Sequence, residues 1–136
     1  TKEGYIIASE TNAKRIRVLK QLGDGKLEKL GSISLDGSPD NISVLEDKIN
    51  VAQVASVLSL IQHFVSLQKG EYKPSPSKIE SLIFDSNKAK YLKRREVLFL
   101  SLGDDISTAS VGVQWEDNLL IGSITDDKVY VCKLEE

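Results

Sequence analysis

The chain has 136 residues, a length that fits one domain, with a net charge of −2 and 40% hydrophobic residues, enough for a packed core. That charge gives no electrostatic case for nucleic acid or for an acidic membrane surface. The longest apolar stretch, residues 51–67, is interrupted by Gln53, Gln62 and His63, and is too short and too polar to span a bilayer. No secretory signal is visible, but the sequence begins at Thr1 and contains no Met, which fits a mature or partial chain.

Residues 4–10 read as a strand and residues 11–13 as a turn. Arg15-Ile16-Arg17-Val18-Leu19-Lys20 alternates charged and apolar side chains, the pattern of a half-buried strand. Gly23-Asp24-Gly25-Lys26 is a tight hairpin turn, and residues 27–35 form the next strand. Gly37-Ser38-Pro39-Asp40-Asn41-Ile42-Ser43 follows. Its composition is ordinary turn chemistry. The same residues set the side-chain oxygens of Asp40 and Asn41 side by side, and hard cations such as calcium take several oxygens of this kind. Ile42-Ser43-Val44 and Ile49-Asn50-Val51-Ala52 then flank Glu46-Asp47-Lys48 as a hairpin.

The period changes next. Val54, Val57, Leu58, Ile61, Phe64 and Val65 recur at helical spacing, which predicts a helix over residues 52–68 that stops at Gly70. Residues 71–77 hold two of the three prolines and read as a loop. Residues 78–84 are apolar, either a strand or one helical turn. Residues 85–95 are polar and basic, and Lys88, Lys90, Lys93, Arg94 and Arg95 read as a solvated loop rather than a phosphate site. The strand pattern then returns over residues 96–102, 107–115, 119–123 and 128–134, with turns at Gly103-Asp104-Asp105, Glu116-Asp117-Asn118 and Thr125-Asp126-Asp127. Cys132 is the single cysteine. It reads either as a small buried hydrophobe or as half of a disulfide to another segment or chain.

Short strands with a turn about every ten residues define an all-β chain: a sandwich, barrel or propeller. Residues 5–19 and 119–134 form a rough repeat, each an apolar strand, a polar turn and an alternating strand. About two and a half propeller blades fit this length. Blades that do not close a ring leave strand edges and an apolar face open. The chain is therefore expected to be a piece of a larger propeller, or to complete one with another chain.

Four stretches now carry a resemblance. They are Tyr5-Ile6-Ile7-Ala8-Ser9-Glu10 with Lys14-Arg15-Ile16-Arg17-Val18; Pro39-Asp40-Asn41-Ile42-Ser43; Pro76-Ser77-Lys78-Ile79; and residues 106–113 with Asn118-Leu119-Leu120-Ile121-Gly122-Ser123 and Tyr130-Val131-Cys132-Lys133-Leu134. In order and spacing, over nearly the whole chain, they resemble the C-terminal portion of the paraoxonase/arylesterase family. Those are six-bladed propellers related to strictosidine synthase and gluconolactonase-type lactonases. The resemblance implies a partial six-bladed propeller with a helical insert near residues 52–69, not autonomous by itself. It implies that Asp40 and Asn41 are calcium ligands, that Ile124 lies on the apolar wall of the substrate pocket, and that Cys132 pairs with a cysteine near the family's N-terminus to close the ring. It further implies an oxidising setting, secreted or ER-lumenal and membrane-associated.

The family hydrolyses lactones and aryl or phosphate esters, with calcium polarising the carbonyl. The departures are specific. The family's other calcium ligands and its histidine pair fall before Thr1. His63, the only histidine, lies in the helical insert and reads as a helix-face residue rather than a catalytic one. The turn at Thr125-Asp126-Asp127 is longer and more acidic than the family's. Two oxygen ligands cannot fill a calcium shell unaided, so the chain by itself is not expected to be an enzyme. The first expectation is a calcium-dependent lactonase or arylesterase completed by an N-terminal segment. The alternative is a paraoxonase-like chaperone, assembly or scaffold protein that uses the apolar insert as a partner, membrane or lipoprotein surface. The bland reading of that face is packing on the propeller top.

Overall fold

The computed structural model describes residues 5–46, 48–84 and 92–134. Among them are ten strands, in three antiparallel sheets, and one α-helix. The first sheet is β1 (Tyr5–Glu10), β2 (Arg15–Gln21) and β3 (Leu27–Ser34). The second is β4 (Ser38–Leu45), β5 (Lys48–Val54), β6 (Ser77–Phe84) and β7 (Leu92–Ser101). The third is β8 (Ala109–Trp115), β9 (Asn118–Ser123) and β10 (Val129–Lys133). Within each sheet, every strand pairs with its neighbour in sequence. Alternation explains β2: Ile16 and Val18 are buried, while the arginines between and before them are not.

The middle sheet is apolar on both faces. Ile49 and Val51 of β5, with Leu82 and Phe84 of β6, pack against Ile16 and Val18 of the first sheet. Ala52 and Ile79 pack the other way, against Ala109, Leu119 and Ile121 of the third. This two-sided burial explains the near-continuous apolar reading of β5, which sequence periodicity alone confuses with a helix. The predicted helix over residues 52–68 is accordingly corrected at its start. Residues 52–54 finish β5, and helix α1 spans Val57–Gln68. Ser56 caps it, its hydroxyl accepting from the Ser59 N–H at 3.2 Å. Gly70, at φ +71°, ends it as expected.

Two further corrections concern strands. The predicted turn at residues 37–43 is strand from Ser38 onward. The solvated loop expected over residues 85–95 is β7 from Leu92, and Arg95 reaches Glu80 across the sheet at 2.9 Å. Lys88 and Lys90 lie outside the described residues. Residues 78–84 resolve as strand, and residues 5–19 and 119–134 are indeed matching hairpins.

Register brings one set of loops to a common end. Ser38, Val54, Ser77 and Ser101 are successive partners across the middle sheet, and Ala109 starts the third sheet beside them through its N–H on Ser77 Oγ at 3.0 Å. The first sheet joins this end where the Leu35 N–H bonds the Lys14 carbonyl at 2.8 Å. Helix α1 and the segments at residues 102–108 and 124–128 therefore share one rim.

Candidate functional site

Asp40 and Asn41 lie two to three residues in from that rim. Pro39 pairs with Gln53 and Ile42 with Val51, so two residues of β4 oppose the single Ala52. That is a bulge, a device that breaks the ladder and re-aims side chains. Pro39 has no N–H to give the ladder, which favours the break there. Asp40 is half-buried and Asn41 exposed. Burial pushes the Asp40 carboxyl above its ordinary range, and no cation or hydrogen-bond donor among the described residues offsets it. A bound cation would supply the missing compensation. The donor chemistry fits a hard metal, but only in part. Among the described residues no group of three or more His, Cys, Asp or Glu side chains converges on one point.

The remaining predicted residues are dispersed. Ile124 follows β9 on the rim and is 57% exposed. Cys132 sits on β10 opposite Leu119, half-buried against the second core, as a free thiol. Burial raises its pKa. No helix among the described residues is long and apolar enough to cross a membrane.

A second cluster was not legible as a site. His63 is on α1 but points inward and is fully buried. Its Nδ1 bonds the Lys73 carbonyl, and its Nε2 lies 2.8 Å from Thr125 Oγ1. A carbonyl only accepts, so Nδ1 carries the proton; in the neutral ring Nε2 then accepts from the Thr125 hydroxyl. Thr125 Oγ1 is 2.7 Å from Thr108 Oγ1. Ser123 Oγ accepts the N–H groups of Thr125 and Asp126 at 3.0 and 2.9 Å while donating to the Ser107 carbonyl at 2.6 Å. With its lone pairs taken, the proton of Thr108 is free to serve Thr125. Tyr72 lies edge-on to the His63 ring, centroids 5.3 Å apart, and donates to Ser107 Oγ at 2.9 Å.

Two elements build this cluster. Ser66, three residues on from His63, accepts the Lys73 N–H at 3.0 Å and so folds the loop after α1 back over the imidazole. The Ser75 N–H then donates to Ser107 Oγ at 3.0 Å, which fastens that loop to the segment before β8, and Gly103 allows the close approach. The signal available in the sequence was the pair His63 and Ser66, at helical spacing i and i+3, on a helix with no Asp, Glu, Lys or Arg.

No family model matches the chain, and no curated protein matches it.

Proposed function

We propose that this chain is the C-terminal part of a calcium-dependent, paraoxonase-like hydrolase of lactones or aryl esters. The observation that carries the reading is the β4 bulge, which holds an uncompensated Asp40 carboxyl beside Asn41 near the loop rim. Asp40 and Asn41 would hold the ion together with oxygens from outside this chain. Calcium there would polarise the substrate carbonyl and stabilise charge developing on its oxygen. Ile124, exposed on the same rim, would offer the substrate an apolar wall.

The strand partition supports a propeller piece. In this reading the middle sheet is one complete four-stranded blade, the first sheet lacks its innermost strand and the third its outermost. β4 contacts β8, as innermost strands of adjoining blades would, and β1 beside the place of the strand the first sheet lacks. β7 has no counterpart in the third sheet, and a cleft of about 600 Å³ lies there, lined by Arg94, Glu96, Gln114 and Lys133 among others. A strand added beside β10 would fill it, and Cys132 would fasten that strand by a disulfide. The test is lactone and aryl-ester hydrolysis by the whole protein, with and without a calcium chelator, beside the Asp40→Asn variant. Activity that survives both chelator and substitution refutes the reading.

A second reading, a non-catalytic assembly or scaffold protein, is favoured by α1 alone. That helix buries His63 and Ser66 and exposes Val57, Leu58, Ile61 and Val65. Unpartnered apolar surface of this kind marks a protein or membrane contact. Vesicle flotation and pull-down with Leu58→Glu/Ile61→Glu separate the two partners.

A further inference from the structure

We propose that Thr125 is a nucleophile, with His63 as its general base, in a covalent ester-cleaving site that needs no metal. The geometry is that of an activated hydroxyl. Thr125 Oγ1 lies 2.8 Å from His63 Nε2, and the other ring nitrogen is anchored on the Lys73 carbonyl. Nucleophile, base and orienting acceptor thus stand in line, the arrangement by which a weak hydroxyl is made reactive. The orienter is a peptide carbonyl rather than a carboxylate, and it fixes the tautomer in the same way.

Three further features favour chemistry over simple anchorage. His63 is fully buried while Thr125 is only partly so, so the base is shielded and the threonine lies at the surface of the cluster. Thr108 Oγ1, 2.7 Å from Thr125 Oγ1, has a proton that points at the reacting oxygen. As Thr125 Oγ1 bonds to the carbonyl carbon, that proton is free to turn to the substrate oxygen on which charge builds. Ile124 is exposed on one side of Thr125, and the acidic Asp126 and Asp127 follow it on the other, which disfavours an anionic substrate. The class of substrate is therefore an uncharged, activated ester with an apolar acyl group.

The step balances within these atoms. Thr125 Oγ1 forms a bond to the carbonyl carbon as its proton passes to His63 Nε2. The tetrahedral species collapses, the bond to the leaving oxygen breaks, and that oxygen takes the proton from Nε2. Water then attacks the acyl-threonine, giving its proton to Nε2, which returns it to Thr125 as the acid leaves.

The experiment uses a fluorophosphonate, which forms an Oγ–P bond as fluoride leaves, on the full chain, read by intact mass and then by peptide mapping. One adduct is expected, on Thr125, formed equally with and without EDTA; this metal independence separates the outcome from failure of the calcium reading. Thr125→Val, nearly isosteric, abolishes it. Thr125→Ser retains it, and His63→Gln slows it by about 10²- to 10⁴-fold. Circular dichroism spectra matching wild type show that the variants fold. No adduct on the wild-type chain, an adduct at another residue, or unchanged labelling of Thr125→Val overturns the proposal.

Discussion

Replacing Glu80 tests how the middle sheet is held together. Glu80 is only 3% exposed. Its carboxylate accepts from Gln53 Nε2 at 2.6 Å and from Arg95 Nε and Nη2 at 2.9 and 3.1 Å, with Lys78 Nζ at 3.5 Å. Gln53 accepts in turn from the Gly37 N–H at 3.1 Å, so one network crosses from β7 to the segment before β4. Glu80→Ala leaves the Gln53 amide buried without its acceptor, which costs about 1–3 kcal/mol. It also strands the Arg95 charge. Because the Arg95 side chain is 35% exposed, water takes up part of that loss, and the whole falls short of the ~3–5 kcal/mol of a fully buried broken pair. The expected loss is about 2–4 kcal/mol, read from urea unfolding by far-UV circular dichroism. A loss under about 0.5 kcal/mol, the range of an ordinary surface change, refutes the network's role. The pH dependence gives a second check. Burial alone raises the Glu80 carboxyl, but the hydrogen bonds from Arg95 and Gln53 and the nearby charges outweigh it and hold it below 4.5. A pKa depressed by folding gives stabilisation that is complete above the unfolded value and lost as pH falls through the folded one. The gap between wild type and Glu80→Ala should stay constant from about pH 6 to 8 and close in acid below about pH 4. A gap that widens on acidification contradicts the sign.

Asp40 should behave in the opposite sense. Burial raises its pKa, so without metal its ionised form opposes folding, and Asp40→Asn should stabilise the chelator-treated chain slightly at pH 7 and remove any calcium-induced rise in Tm. A calcium-dependent rise that persists in the variant rules Asp40 out as a ligand. Gly103→Ala should destabilise by more than about 1 kcal/mol, because φ there favours glycine; that φ is +108° and a Cβ would meet the Ser75 backbone at 2.7 Å. Thermal unfolding reads this directly, and an unchanged Tm would mean the loop carries no such constraint. Leu58→Glu/Ile61→Glu should leave stability within about 0.5 kcal/mol of wild type, since both side chains face out; a cooperative loss would show that α1 packs by that face. Cys132, its thiol pKa raised by burial, should react with iodoacetamide at pH 8 more slowly than in urea, and equal rates would place it outside the packed interior.

The all-β architecture was legible because most strands carry a two-residue period and charged turns. β2 shows this best, with Ile16 and Val18 alternating against arginine and lysine. The failures share one cause, tertiary burial. β5 is covered on both faces, so it lost its alternation and its end was absorbed into the helix. Residues 92–95 are basic, yet Arg95 has a buried carboxylate waiting in Glu80, which no local pattern announces. At Asp40 the local chemistry of Gly, Pro, Asp and Asn spelled a turn, and the chain instead used it for a bulge within a strand. The pairing of His63 with Thr125 spans 62 positions. Nothing near either residue gave its partner, and only the inward pair His63 and Ser66 marked the face.

Edge chemistry separates finished from unfinished sides of the fold. A free strand edge invites pairing, and charge, proline or a bulge suppresses it. The edges that lie within the chain's run are suppressed, β8 only by the register shift between Ala109 and Val111. β3 carries Glu28 and Lys29, β7 carries Arg94, Arg95 and Glu96, and β4 has Pro39 and the bulge. The two edges nearest the ends of the sequence are not. β1 reads Tyr5-Ile6-Ile7-Ala8-Ser9 before its first charge, and β10 reads Val129-Tyr130-Val131-Cys132 before Lys133, with Val129 and Val131 exposed. These are the strands whose sheets have three members where the middle sheet has four. Selection against edge pairing acts on surfaces that meet solvent, so open edges at β1 and β10 are what the proposed propeller piece would show if further strands paired there. The proposed ring closure would cover both edges at once.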